Sequence, residues 1–289
     1  MSLRPLLAAW LLALLHAPVA AREPLPVLVS ILPQQFLVER VGGDRVRTSV
    51  LVGSGQNPHT YEPTPRQMAE VSQARAFFRL GIDYEEVWLP RILRVNPGLE
   101  VVDQREGLTL RPVDGGHRHA DGHWHAPARP DPHVWTSPAN AKAMAAQVRD
   151  SLGRLDPAGA PAYAQGFERL AADLDALDAE VRAALAGARQ RRFLIFHPSW
   201  GYFADAYGLE QVPIEQSGKE PGARGLARLI DQARAEGVRA VFVGPQDSPA
   251  PAEAVAREIG ARVVPLDPLA ADYLASLRRM AGALAEALR

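Results

Sequence analysis

Imidazole is the commonest protein ligand for zinc and related borderline metals, and the eight histidines of this chain are unevenly spread. Three stand alone beside proline or aromatic residues: His59 in Asn57-Pro58-His59-Thr60-Tyr61, His133 in Asp131-Pro132-His133-Val134-Trp135, and His197 in Phe196-His197-Pro198-Ser199-Trp200. Four more, His117, His119, His123 and His125, crowd into one polar stretch, and His16 lies near the N-terminus. Asp267 continues the series of isolated residues: His59, His133, His197 and Asp267 are separated by 74, 64 and 70 positions. Each gap holds about two βα units, so each residue can come from a different loop facing one cleft. Three neutral imidazoles and one carboxylate make a four- or five-coordinate shell for a divalent metal. A closed shell holds an ion, whereas metal catalysis needs an open position for water. Plainer readings stay open for the single residues: a histidine beside proline fits a turn or a satisfied buried position, and Asp267 before Pro268 fits a helix cap.

The stretch 114–131 carries two His-x-His pairs with no apolar period and with glycine and proline around them. That composition predicts a surface loop, an auxiliary collector that captures a cation loosely. The run from His117 to His123 approaches the His-x-His-x-Asp-His pattern of metallo-β-lactamase-like hydrolases but is one residue too long before its last histidine. No His-Glu-x-x-His, nucleophile elbow or phosphate-binding Walker loop occurs. A carrier without catalytic residues is therefore expected, with a periplasmic zinc-dependent hydrolase as the alternative from the enzyme class.

The elements that must position these residues alternate. Val27–Leu32, Val46–Val52, Ala76–Leu80 and Val101–Val102 read as strands, with helices at Thr64–Ser72, Tyr84–Leu93 and from Ser137 to about Leu152. After position 189, strands at Phe193–Phe196, Gln211–Ile214, Ala240–Val243 and Arg262–Leu266 alternate with helices at Gly201–Tyr207, Ala223–Glu236, Pro251–Ile259 and Ala270–Leu288. Such alternation implies parallel βαβ units. Between the two series, Leu170, Leu174, Leu177, Val181 and Leu185 recur at helical steps, predicting an amphipathic connecting helix over 161–188. The expected organisation is α/β: an N-terminal lobe (22–160), the long helix (161–188) and a C-terminal lobe (189–289), each lobe a parallel sheet flanked by helices.

Residues 1–21 pair Arg4 with an apolar run from Leu6 to Leu15 and close on Val19-Ala20-Ala21, which reads as a secretory signal, its apolar run too short to span a bilayer. The chain has no cysteine, which removes disulfides and a lipid-bearing N-terminal cysteine, and these features favour a free periplasmic protein. A formal net charge of −1 gives no field for nucleic acid or acidic membranes.

The chain resembles the zinc/manganese solute-binding proteins of bacterial ABC transporters, especially their zinc branch. The resemblance is carried in order by Ser30-Ile31-Leu32-Pro33, Pro58-His59-Thr60-Tyr61-Glu62-Pro63, Gly81-Ile82-Asp83 with Trp88, the histidine-rich stretch, Asp131-Pro132-His133-Val134-Trp135, Phe196-His197 with Gly201-Tyr202-Phe203, Gly218-Lys219-Glu220-Pro221, Pro245-Gln246 and Leu266-Asp267-Pro268-Leu269. It implies two similar lobes joined by a long helix, with the metal in the cleft between them and His59, His133, His197 and Asp267 as ligands. The histidine-rich stretch, with His117, His119, His123 and His125 as auxiliary ligands, is typical of the zinc branch. Three histidines imply Zn2+ rather than Mn2+, and a manganese- or iron-binding member of the family is the alternative. The implied partners are an inner-membrane ABC permease with its cytoplasmic ATPase; a periplasmic zinc metallochaperone is a further candidate partner, and the carrier itself is expected to be a monomer. The chain departs from many members after the third histidine, where Pro198-Ser199-Trp200 stands; Trp200 is expected to line the site or to pack within the lobe.

Overall fold

Short runs of β-branched and aromatic residues, covered by helices on both faces, form the strands of two parallel sheets. The protein is described here by a computed structural model over residues 23–112, 129–215 and 221–289. In the N-terminal half, β1 (Leu25–Ile31), β2 (Val46–Val52), β3 (Ala76–Arg79) and β4 (Glu100–Asp103) lie in the order β2-β1-β3-β4. The register sets Val29 of β1 beside Val50 of β2 and Phe78 of β3. Helices α1 (Leu32–Gly42), α2 (Pro65–Gln73) and α3 (Asp83–Val95) alternate with these strands, followed by α4 (Pro138–Leu155) and α5 (Ala160–Leu185). The C-terminal half repeats the arrangement: β5 (Arg192–Ile195), β6 (Glu210–Pro213), β7 (Ala240–Val243) and β8 (Arg262–Pro265) lie in the order β6-β5-β7-β8, with α6 (Gly201–Ala206), α7 (Ala223–Ala235), α8 (Pro249–Ile259) and α9 (Tyr273–Ala287). The result is a two-lobed α/β fold. Among the described residues no helix is long and apolar enough to cross a membrane.

Local chemistry sets most boundaries. Thr64 caps α2 by accepting from the Gln67 amide at 3.3 Å, and the Gln67 side chain accepts from the Thr64 amide at 2.9 Å, with Pro65 in the first turn. Gly260 ends α8 in the left-handed conformation, at φ 69°. Two expectations need correction. The pattern predicts a first strand to Leu32 and no helix before β2; instead Leu32 opens α1, because Pro33 suits a first turn and Gln34 Oε1 accepts from the Ser30 and Ile31 amides at 2.9 and 3.2 Å. The last helix starts at Tyr273 rather than Ala270, capped by Asp272, whose Oδ1 accepts from the Ala275 amide at 3.2 Å.

The 26 residues of α5 run about 39 Å at about 1.5 Å per residue. Tyr163, Leu170, Leu174, Leu177, Val181 and Leu185 form its buried face, packed against α1 and α4 on one side and α9 on the other. One continuous apolar core thereby includes strands of both sheets, and a smaller core lies under α7 and α8. The closest approach is at Gly166, where a Cβ would sit 2.2 Å from the Val41 carbonyl oxygen at the end of α1. Gly166→Ala is expected to force the helices apart and cost about 1–3 kcal/mol in denaturant unfolding. Gly153→Ala in α4, whose new Cβ would meet only Ala160 Cβ at 3.8 Å, is expected to be neutral or to stabilise by up to about 1 kcal/mol.

Candidate metal centre

In open parallel sheets, ligand-binding residues gather beyond the carboxyl ends of the strands. The segment after β2 carries His59, and the turn after β5 carries His197. His133 precedes the short helical turn Val134–Thr136 that leads into α4. The amide of His59 donates to Asn57 Oδ1 at 2.8 Å, which curls the chain through Pro58, while Tyr61 packs edge-on against Tyr84 at 5.6 Å and donates to Gln67 Oε1 at 2.6 Å. His133 is held in the same way by Asp131, whose Oδ1 accepts its amide at 2.9 Å. Its neighbour Trp135 donates Nε1–H to the Pro268 carbonyl at 2.8 Å, and Tyr273 donates to the Trp135 carbonyl at 2.5 Å. These two bonds tie the His133 turn to the C-terminal lobe.

The three imidazoles converge. Their ring centroids lie 5.7 Å (His59–His133), 5.0 Å (His59–His197) and 5.3 Å (His133–His197) apart, and one donor atom from each falls within 4.8 Å of the others. A tetrahedral zinc ion with bonds of 2.0–2.1 Å needs donors roughly 3.3 Å apart, so closure by about 1.5 Å at most completes the triangle. Behind each ring stands a carboxylate facing Nδ1: Asp131 Oδ1 at 2.7 Å from His133, Glu215 Oε2 at 3.1 Å from His197, and Asp83 Oδ2 at a looser 3.5 Å from His59. An ionised carboxylate only accepts, so each Nδ1 carries the proton and Nε2 presents its lone pair. The Nε2 atoms of His59 and His197 are buried with no hydrogen-bond partner. Such orphaned acceptors are rare and costly, and a cation between the rings satisfies them.

The electrostatics are uneven. Burial, then the neighbouring His133 and His197, push His59 down to about 4. Burial also pulls on His197, but the hydrogen bond and charge of Glu215 outweigh it and raise its pKa. Burial disfavours the charge on Asp131, yet His133, the hydrogen bonds from it, and Arg111 hold its carboxyl below the usual range. Glu215 is likewise held low, by His197, against its own burial. The site opens on a cavity of about 570 Å³, walled by Trp135, Phe196, Pro198 and Leu269 and edged by Asp83, Arg129 and Asp247.

The structure thus brings His59, His133 and His197 together. Asp267, after β8, stands outside this group of mutually close donors: its Oδ1 accepts from Gln246 Nε2 at 2.8 Å and from the Leu269 amide at 2.9 Å. His117, His119, His123 and His125 lie outside the described residues. Of the two roles open to Trp200, packing is the one found: it is buried edge-on against Phe203 at 5.7 Å, and Trp135 is the tryptophan that walls the cavity. Sequence reasoning missed Asp83, Asp131, Glu215 and Asp247. Asp131 stands two residues before His133 and Asp83 closes the Gly81-Ile82-Asp83 motif, but neither is read from the sequence as a partner of a histidine.

Residues 27–287 match the family model described as the periplasmic component A of the zinc-uptake complex. A crystal structure of ZnuA superposes with a TM-score of 0.85 at 39% identity, over 92% of this chain and 100% of that one. The high-affinity zinc uptake system protein ZnuA of Bacillus subtilis is 30% identical over 86% of this chain and 79% of its own length. The zinc-binding lipoprotein AdcA of Streptococcus pneumoniae is 29% identical over 85% of this chain, which spans half the length of that relative.

Glu215 favours the doubly protonated form of His197, in which Nε2 has no lone pair to offer a metal. Zinc binding is expected to weaken as pH falls through the raised His197 range and to expel protons within that range. Glu215→Gln leaves burial as the main influence and moves His197 down, so fewer protons leave per zinc. Calorimetry in two buffers of different ionisation heat counts them, and an unchanged count in Glu215→Gln would overturn this account.

Proposed function

This chain belongs to the periplasmic zinc-uptake complex component A family, and from that premise we propose that His59, His133 and His197 capture a Zn2+ ion as cargo. The family works beside an ABC permease and its ATPase as a solute-binding component, so the chain is a carrier rather than a hydrolase. The convergence of three imidazoles, each backed by a carboxylate, carries the reading. Neutral nitrogen donors suit zinc, whereas manganese favours carboxylate and water oxygens. Two buried Nε2 lone pairs with no other partner add to it. The ion held here passes to the permease for uptake. Export by residues 1–21 belongs to the same proposal, and unlike the lipoprotein relative the sequence contains no cysteine to carry a lipid.

The histidines at 117, 119, 123 and 125 are proposed as weaker collectors on the strength of the sequence alone. Calorimetric zinc titration tests both parts. Each of His59→Ala, His133→Ala and His197→Ala is expected to weaken the tight site by at least about a hundredfold, since losing even an outer partner of a ligand costs 10–100-fold. Excising 115–126 is expected to leave that site intact and remove only weaker binding. If all three alanine variants bind zinc like the parent, the ligand assignment is wrong.

A further inference from the structure

The residues on either side of 113–128 lie next to each other: Pro112 and Pro130 form an antiparallel bridge, and the Asp131 amide donates to the Arg111 carbonyl at 2.8 Å. An arginine stands on each side of this bridge, and each reaches a carboxylate that backs a candidate ligand. Arg111 Nη1 lies 3.2 Å from Asp131 Oδ2, while Oδ1 of the same carboxylate faces His133 Nδ1 at 2.7 Å. Arg129 Nη1 lies 2.5 Å from Asp83 Oδ1, while Oδ2 faces His59 Nδ1 at 3.5 Å.

We propose that Arg111 and Arg129 are paired positioning residues of the metal site, each fixing one ligand histidine through the carboxylate between them. The proposal rests on the assignment of His59 and His133 as ligands. A carboxylate held through one oxygen can turn about its Cβ–Cγ bond. Held through both, it fixes the direction of the Nδ1–H it accepts and so aims the Nε2 lone pair.

The two arms are unequal. Asp131 is buried, and Arg111 is clamped from the opposite lobe. Its Nε contacts Asp205 Oδ2 at 3.1 Å, and its guanidinium stands 5.9 Å from the Tyr202 ring centroid. It crosses Gly201 so closely that a Cβ there would fall 1.4 Å from Nη1. Tyr202 completes the clamp, its hydroxyl accepting the Arg111 amide at 3.1 Å and donating to the Asp131 carbonyl at 2.9 Å. Arg129 and Asp83, by contrast, are 65% and 49% exposed, and water screens their pairing. The His133 arm therefore carries the larger effect.

The test is a chelator-competition titration of zinc on the full chain. Asp131→Asn is expected to weaken binding by roughly 10–100-fold, the range for losing an outer partner of a ligand histidine. Arg111→Ala is expected to weaken it about tenfold and Arg129→Ala about two- to threefold, in keeping with burial. Because each arginine acts through its carboxylate, Arg111→Ala in the Asp131→Asn background, and Arg129→Ala in the Asp83→Asn background, should add nothing. Arg111→Lys, which keeps a charge but loses the fork, should recover part of the affinity, and it stands in if Arg111→Ala fails to fold by thermal unfolding. Full additivity in the double variants overturns the proposal, because the arginines then act by another route. Parent-like affinity in both single arginine variants, with His133→Ala still crippled, overturns it and leaves the ligand assignment standing. If His133→Ala also binds like the parent, both fall.

Discussion

Two imidazole nitrogens, Nε2 of His59 and Nε2 of His197, are buried and unpaired, and the rest of the site exists to keep them so. Leaving a polar atom buried without a partner costs about 1–3 kcal/mol. Relief by rotation is prevented from behind: Glu215 and Asp83 face the opposite edges of the same rings, and Asp131 does this for His133. Asp131, which is buried, pairs in turn with Arg111, and the half-exposed Asp83 with Arg129, whereas Glu215 pairs with His197 itself. Charge thus alternates outward from the centre in two arms, through Asp131 to Arg111 and through Asp83 to Arg129, both ending beside the Pro112–Pro130 bridge.

Such an arrangement demands that loops from two sheets stay in register across a cleft. The continuous core provides this, with α5 packed between α1 and α4 on one side and α9 on the other. Polar bonds across the cleft add direction to that packing. Trp135 to the Pro268 carbonyl, Tyr273 to the Trp135 carbonyl and Tyr202 to the Asp131 carbonyl all end within two residues of His133 or on the loop after β8. The turn bearing His133 is in this sense shared between the lobes.

Much of this was legible from residue order. Isolated histidines beside prolines marked loops at strand ends, apolar alternation marked the two sheets, and Thr64 and Gly260 marked helix boundaries through local chemistry. Glu215 was not legible, because nothing local links it to His197 eighteen residues earlier, and the loop of β6 must fold beside that of β5 before they meet. The same holds for His59 and Asp83. Helix α1 was missed because Pro33 stops a strand and starts a helix equally well, and only the Gln34 side chain decides between them. Asp267 drew attention as the acid after a strand, a position that Glu215 and Asp247 share after β6 and β7.

The cavity is far larger than a bare ion requires. Its volume of about 570 Å³ is that of a small-molecule pocket rather than of an ion cage. A donor side chain from a receiving protein would therefore have space to enter beside the rings with an ion still between them. That room would leave an associative exchange sterically open, the incoming donor binding before an imidazole lets go. On such a route the lifetime of a loaded carrier in isolation and the speed of its discharge would be separate quantities, the second set by the receiver.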